Sequence, residues 1–246
     1  YIHLLFFIFL IFNPITNVNG ARFNTTIWIF FYATINILLY KKKRYYLLLL
    51  LTPLFHYGFL MPLFITILFL TINKILYTKN NINKLLFFVF VFTFCISWVL
   101  ETNIINLDIL TNFIPSDGIS NKIGAYNSED ATKLNIERRS TSLFLKVSGF
   151  FLTLLKIFFF FLICYAYKII KKQKFSNLKL NRLLSFILFY LSLAFIAATF
   201  PSGTRFLMIG YLFCLVFLLK LYIEYADRTI KNYILLLLPI LSFKFF

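Results

Sequence analysis

The chain of 246 residues is poor in what soluble catalysts use most: 13% of it is charged, with only 8 Asp+Glu, 2 His and 3 Cys. Cys95, Cys164 and Cys214 lie far apart in apolar stretches and lack metal-ligand spacing. The two histidines form no cluster with them, so neither a metal nor another cofactor is expected. There is no P-loop, no Gly-rich dinucleotide turn and no nucleophile elbow, which argues against an ATP-driven motor or a soluble-type hydrolase. No small-residue cleavage site follows a basic start, so neither end reads as a signal peptide. No repeat of 20–50 residues stands out.

What is abundant is apolar surface. Hydrophobic residues make up 61% of the chain and aromatics 21%, with 35 Phe. A soluble fold has too little interior for that much apolar surface, and the excess would aggregate. The chain therefore needs lipid as its solvent. Enrichment in Phe, Ile, Asn, Lys and Tyr also matches an A+T-rich genome, so abundance alone carries no functional weight. The chain opens at Tyr1 inside one apolar run and stops at Phe246 inside another, so a fragment of a longer membrane protein, 1–246 forming one integral domain, is expected.

The net charge of +17 would point to nucleic acid on a soluble protein. Here it reads as topology, and no nucleic-acid partner is expected. A membrane-crossing helix needs about 20 mainly apolar residues. Apolar stretches run over 1–12, 24–40, 45–72, 84–100, 147–167, 183–200, 206–223 and 232–246. Cations mark the cytoplasmic side. The strongest markers are Lys41-Lys42-Lys43-Arg44 and the set Lys168, Lys171, Lys172, Lys174, Lys179 and Arg182; weaker ones are Lys74, Lys79, Lys84 and Lys220, Arg228, Lys231. All four groups share one side only if 45–72 returns to the side it left. Pro53, Gly58 and Pro62 supply the interruption that such a helical hairpin needs. Arms of about 13 residues would each span roughly 20 Å, which predicts a re-entrant or steeply tilted pair. The expected fold is an all-α, polytopic transmembrane bundle with that hairpin and a large extracytoplasmic loop over 101–146. The loop holds Glu101, Asp108, Asp117, Glu129, Asp130 and Glu137, six of the eight acids.

The informative motif is an echo. Asn19-Gly20-Ala21-Arg22-Phe23 and Ser202-Gly203-Thr204-Arg205-Phe206 share a polar-Gly-small-Arg-Phe pattern, each where an outer loop enters a helix. A guanidinium beside free backbone N–H groups suits phosphate or pyrophosphate; the alternative is an interfacial Arg on lipid headgroups. His56, at the hairpin bend, could act as a general base or hold a sugar hydroxyl. It could equally be a buried ring bonded to a carbonyl that Pro53 leaves free. Lys156 lies within a span, where ionisable residues are functional candidates unless they snorkel. In the loop, Glu129, Asp130, Glu137, Arg138 and Arg139 are placed to meet a polar substrate, against a merely solvated role. Asn24-Thr25-Thr26 matches a glycosylation sequon, without weight in an Asn-rich chain.

In order, the chain carries Asn19-Gly20-Ala21-Arg22-Phe23, an apolar helix, Lys41-Lys42-Lys43, then Thr52-Pro53-Leu54-Phe55-His56-Tyr57-Gly58, a polar loop and Pro201-Ser202-Gly203-Thr204-Arg205-Phe206. This resembles the EpsG-like branch of bacterial O-antigen and exopolysaccharide polymerases (Wzy-type), over roughly residues 13–225. The resemblance implies a multi-pass glycosyltransferase of the bacterial cytoplasmic (inner) membrane in O-antigen, capsule or exopolysaccharide biosynthesis. It would join oligosaccharide repeat units carried on polyprenyl pyrophosphate at the outer face, with a chain-length regulator protein as partner and no metal or nucleotide sugar. Carried over, Arg22 and Arg205 would neutralise the pyrophosphates of donor and acceptor, and His56 or a loop acid would deprotonate the attacking hydroxyl. A transporter or lipid-linked-oligosaccharide flippase without covalent chemistry is the main alternative. An O-antigen ligase shares the chemistry, and an organelle-encoded respiratory subunit comes last for want of paired histidines.

Overall fold

The structure is a computed structural model that describes residues 21–76, 82–102, 143–173, 177–199 and 203–243. Apart from one short 3-10 turn, the described elements are α-helices: α1 (Ala21–Tyr40), α2 (Tyr45–Phe55), α3 (Leu60–Leu76), α4 (Ile82–Thr102), α5 (Leu143–Lys172), α6 (Leu178–Ala197), α7 (Thr204–Tyr225) and α8 (Arg228–Phe243). Five stretches are long and apolar enough to cross a membrane: Arg22–Tyr40, Ile82–Val99, Gly149–Lys172, Leu178–Ala197 and Thr204–Tyr225. The all-helical, polytopic bundle expected from composition is the fold observed. Residues 1–12 and most of the loop over 101–146 lie outside the described residues.

Aromatic and polar contacts fix how the helices run. Asn83 at the start of α4 meets Asn181 and Ser185 near the start of α6. Further along, Phe90 and Phe94 meet Phe195, so α4 and α6 are parallel. Tyr167 stacks on Phe87 and Phe160 on Phe94, which sets α5 antiparallel to α4. Phe213 of α7 packs on Phe30 and Phe31 of α1 and on Phe186 of α6. Helix α8 returns along α5 through Tyr233 against Phe158 and Tyr165.

Helix α6 sits at the centre and is buried on nearly all sides, from Leu183 to Leu188 without a break. Such a helix has no solvent stripe to orient it. Shape and a few polar contacts must do so instead, and interhelical hydrogen bonds are the available glue where lipid removes the hydrophobic drive. The contacts of Asn83 with Asn181 and Ser185 fill that role.

At one end of the bundle, the ammonium groups of Lys42 and Lys179 approach the Tyr40 ring at 5.5 Å and 5.6 Å. Arg182 donates to the Leu38 carbonyl at 3.3 Å. The two strongest basic runs therefore share this basic end, as the hairpin reading requires. The two acids nearby, Glu224 and Asp227, act locally. Glu224 accepts from Asn177 at 2.8 Å, and Asp227 accepts from the Thr229 and Ile230 N–H groups to cap α8. Capping of this kind satisfies donors that a helix start leaves open.

The 45–72 stretch folds as α2, the 3-10 turn Tyr57–Phe59 and α3. Its arms are 11 and 17 residues, rather than equal. Eleven residues suffice because α2 does not start level with the end of α1. The Tyr45 hydroxyl already lies 3.2 Å from that of Tyr32, about two turns up α1. After α2 ends, Phe59 packs on Phe23 and Phe30. The apex thus reaches the far end of α1, and Phe69 against Phe186 and Phe189 brings α3 back down beside α6.

Pro53 sits inside α2 and cannot donate to the Leu49 carbonyl, four residues back. The buried Thr52 hydroxyl takes that carbonyl at 2.7 Å. Thr52→Val is expected to strand it and cost about 1–3 kcal/mol. A lowered unfolding temperature in detergent, restored by Thr52→Ser, would be the signature. At the other end of the molecule Ala226 closes α7 in the left-handed region, at φ 49°. Ala226→Gly should relieve this strain and stabilise by about 1 kcal/mol in the same assay.

Candidate functional site

Both Arg-Phe pairs fall in the first turn of a helix, Arg22-Phe23 in α1 and Arg205-Phe206 in α7. The two helices are parallel neighbours, so both starts lie at the end opposite the basic one. The Arg205 guanidinium rests over the Phe23 ring, 5.6 Å from its centroid. The arginine of the second motif therefore packs on the phenylalanine of the first. A cation held on a ring face gains about 0.5–2 kcal/mol and loses rotamer freedom. Arg205 remains exposed, as does Arg22. Gly203, before α7, has no side chain to cap the helix, and its carbonyl accepts from the Phe206 N–H at 3.0 Å.

The hairpin apex completes the arrangement. The His56 ring meets Phe23 edge-on at 5.2 Å and Phe59 at 6.2 Å, and stacks on Tyr57 at 5.2 Å with an interplanar angle of 11°. His56 is half-buried, and its Nδ1 accepts from the Gly58 N–H at 3.1 Å. That bond requires a lone pair on Nδ1, so the neutral ring carries its proton on Nε2. The side chain is tied to its own turn rather than to a carbonyl freed by Pro53, which Thr52 already occupies. Burial first, and then the positive charge of Arg205, hold the imidazole below its ordinary value of 6.5.

Chemically, this end presents a guanidinium held on a ring, a second exposed one in Arg22 and a neutral imidazole N–H donor. Such a set is complementary to an anion bonded to a hydroxyl-rich group. Among the described residues no three His, Cys, Asp or Glu side chains gather as a metal site.

Of the candidates read from sequence, Arg22, Arg205 and His56 are brought to one end. Lys156, on α5, lies toward the same end against α4 and α6, 4% exposed, with its ammonium 5.4 Å from the Trp98 ring, 5.9 Å from Phe195 and 6.0 Å from Phe94. An aromatic cage of this kind can keep a buried cation in place without snorkelling. Glu129, Asp130, Glu137, Arg138 and Arg139 lie outside the described residues. Phe23 entered the sequence reading only as a member of the Arg-Phe pattern, and Tyr57 and Phe59, which pack on His56 with it, were given no role. In a chain with 35 Phe and 15 Tyr no single ring carries a signal.

The fold and this cluster define a polytopic helical membrane protein with a cationic, donor-rich site at the end opposite its basic face. The chain belongs to the EpsG family, whose model matches residues 1–246. This bears out the resemblance carried by the Arg-Phe and Pro-x-x-His motifs, and it points to polysaccharide biosynthesis by a polymerase. No curated protein and no solved structure matches the chain.

The tautomer of His56 makes a pH prediction. With a depressed pKa, the neutral ring is fully present above about pH 6.5 and is lost as pH falls through the lowered value. Protonation would place a proton on Nδ1, break the Gly58 contact and add a cation beside Arg205. His56→Asn keeps an acceptor for the Gly58 N–H, since Asn forms the same kind of turn, but loses the Nε2 donor. Polysaccharide formation should fall about 10-fold or more in this variant, with the wild-type decline on the acid side flattened. Wild-type activity in His56→Asn would leave His56 with a turn-forming role only.

Proposed function

We propose that the protein polymerises lipid-linked oligosaccharide repeat units at the outer face of a bacterial cytoplasmic membrane. The reaction joins a sugar hydroxyl of one unit to the anomeric carbon of the next. The new bond is C–O; the bond broken is anomeric carbon to phosphate oxygen, and polyprenyl pyrophosphate leaves with the electron pair. The hydroxyl proton passes to a carboxylate of the polar loop, for which Glu129, Asp130 and Glu137 are the candidates. Arg205 matches the charge that grows on the departing pyrophosphate, with Arg22 serving the second lipid, and His56 donates from Nε2 to a sugar oxygen. Electrostatic stabilisation is then the main catalytic term, without a need for a metal or nucleotide sugar. Arg138 and Arg139 extend the cationic surface, and a chain-length regulator is the protein partner expected.

The observation that carries this reading is the packing of Arg205 on Phe23 beside His56. It joins three separated motifs at one end, the end opposite the cytoplasmic cations by the positive-inside rule. A translocator without covalent chemistry would instead want ionisable groups along a path through the membrane. Deleting the gene discriminates the two. Single lipid-linked units should accumulate in the outer leaflet, whereas accumulation in the cytoplasmic leaflet favours a translocator.

A further inference from the structure

Tyr57 is 70% exposed at the apex of the hairpin, yet its ring is not loose. One face lies parallel against the His56 ring at 5.2 Å and 11°. His56 is in turn anchored by the Gly58 N–H and by the edge contact with Phe23, on which Arg205 rests. His56 backs the ring on one side, and with 70% of the residue exposed much of its surface is accessible to a ligand.

An aromatic ring carries negative charge on its face and positive charge on its edge. The C–H face of a pyranose is weakly positive and apolar, and its hydroxyls point outward to the side. The two surfaces therefore match face to face, and a two-torsion side chain loses little entropy on contact. The neighbouring donor, His56 Nε2–H, would meet the sugar's edge, as expected of a group beside the platform rather than beneath it.

From this arrangement we infer that Tyr57 is the stacking platform for the sugar bonded directly to the pyrophosphate. The inference rests on the polymerase reading and deepens it. Arg205 and Arg22 take the phosphates, Tyr57 takes the apolar face of the first sugar and His56 takes one of its oxygens. Tyr57 is then a residue that separates a glycosylated lipid from the bare carrier released after each turnover. Discrimination of this kind lets the product leave a site that still attracts the substrate. The role differs from that of an interfacial tyrosine at headgroup level, which would hold the hairpin in place whatever ligand is bound.

The test compares two probes on the full-length protein in nanodiscs: undecaprenyl pyrophosphate, and the same lipid carrying one N-acetylglucosamine. Wild type should bind the glycosylated lipid about 10-fold more tightly, equivalent to about 1.4 kcal/mol. Tyr57→Leu should lose that increment and keep its affinity for the bare lipid, and Tyr57→Phe should retain both. Equal losses on the two lipids in Tyr57→Leu would make the residue a structural anchor and overturn the platform, as would an unchanged increment. Failure of wild type to bind the bare pyrophosphate lipid would overturn the polymerase reading itself, and the platform with it.

Discussion

Arg205→Ala is expected to abolish long polysaccharide chains while single lipid-linked repeat units persist. The pyrophosphate is a good leaving group only when its growing charge is matched, and removal of one preorganised donor from such a site typically costs 10²–10³ in rate, about 3–4 kcal/mol. The loss should exceed that in Arg22→Ala, because Arg205 is fixed on the Phe23 ring and lies close enough to His56 to influence its protonation. Arg205→Lys keeps the charge but not the planar fork, so it should fall between wild type and alanine. Because the alanine variant also removes a cation–π contact, chain-length ladders must be compared at matched protein level in the membrane. Normal ladders in Arg205→Ala at that level would remove the guanidinium from the mechanism.

The second large effect lies in the core. Gly210 faces α6 so closely that an added Cβ would stand 2.5 Å from Leu191 Cδ2 and 3.3 Å from Tyr190 Cδ1. Small residues at such crossings let membrane helices approach. The nearest obstacle to alanine is the tip of a flexible leucine, so Gly210→Ala should cost about 1–3 kcal/mol through overpacking. Gly210→Leu cannot be absorbed in this way. Tyr190 beside it is fully buried and packs on Phe186 and Phe213, which leaves no direction in which to yield. Helix α7 would have to shift, and Arg205, about one and a half turns away, would shift with it. The expected outcome is loss of a monodisperse protein peak in detergent for Gly210→Leu, and a lowered unfolding temperature with residual activity for Gly210→Ala. A stable, fully active Gly210→Leu protein would contradict the packing.

These two positions illustrate what the sequence discloses. The echo of Arg22-Phe23 and Arg205-Phe206 was legible because a cation on the side opposed to the cationic trend is rare, and rarity gives a signal. The return of 45–72 was legible because Pro53, Gly58 and Pro62 and the parity of the basic runs constrain it together. That its arms are unequal was not, since that depends on where the Tyr45 ring reaches α1. Gly210 carried no signal, because its role exists only where Leu191 and Tyr190 meet it. The rings around His56 were hidden by composition, and the clamp from Asn83 to Asn181 and Ser185 by sequence distance. Lys156 was legible as unusual, but the sequence cannot place Phe94, Trp98 and Phe195 around it.

The reaction proposed for the arginine–histidine end is glycosidic-bond formation. Purified full-length protein in proteoliposomes, supplied with polyprenyl-pyrophosphate-linked repeat units, tests it most directly. A ladder of lengthening saccharides is expected, with one polyprenyl pyrophosphate released for each bond formed, and loss of both products in Arg205→Ala. Movement of intact repeat units across the bilayer with no ladder and no released pyrophosphate lipid would contradict it.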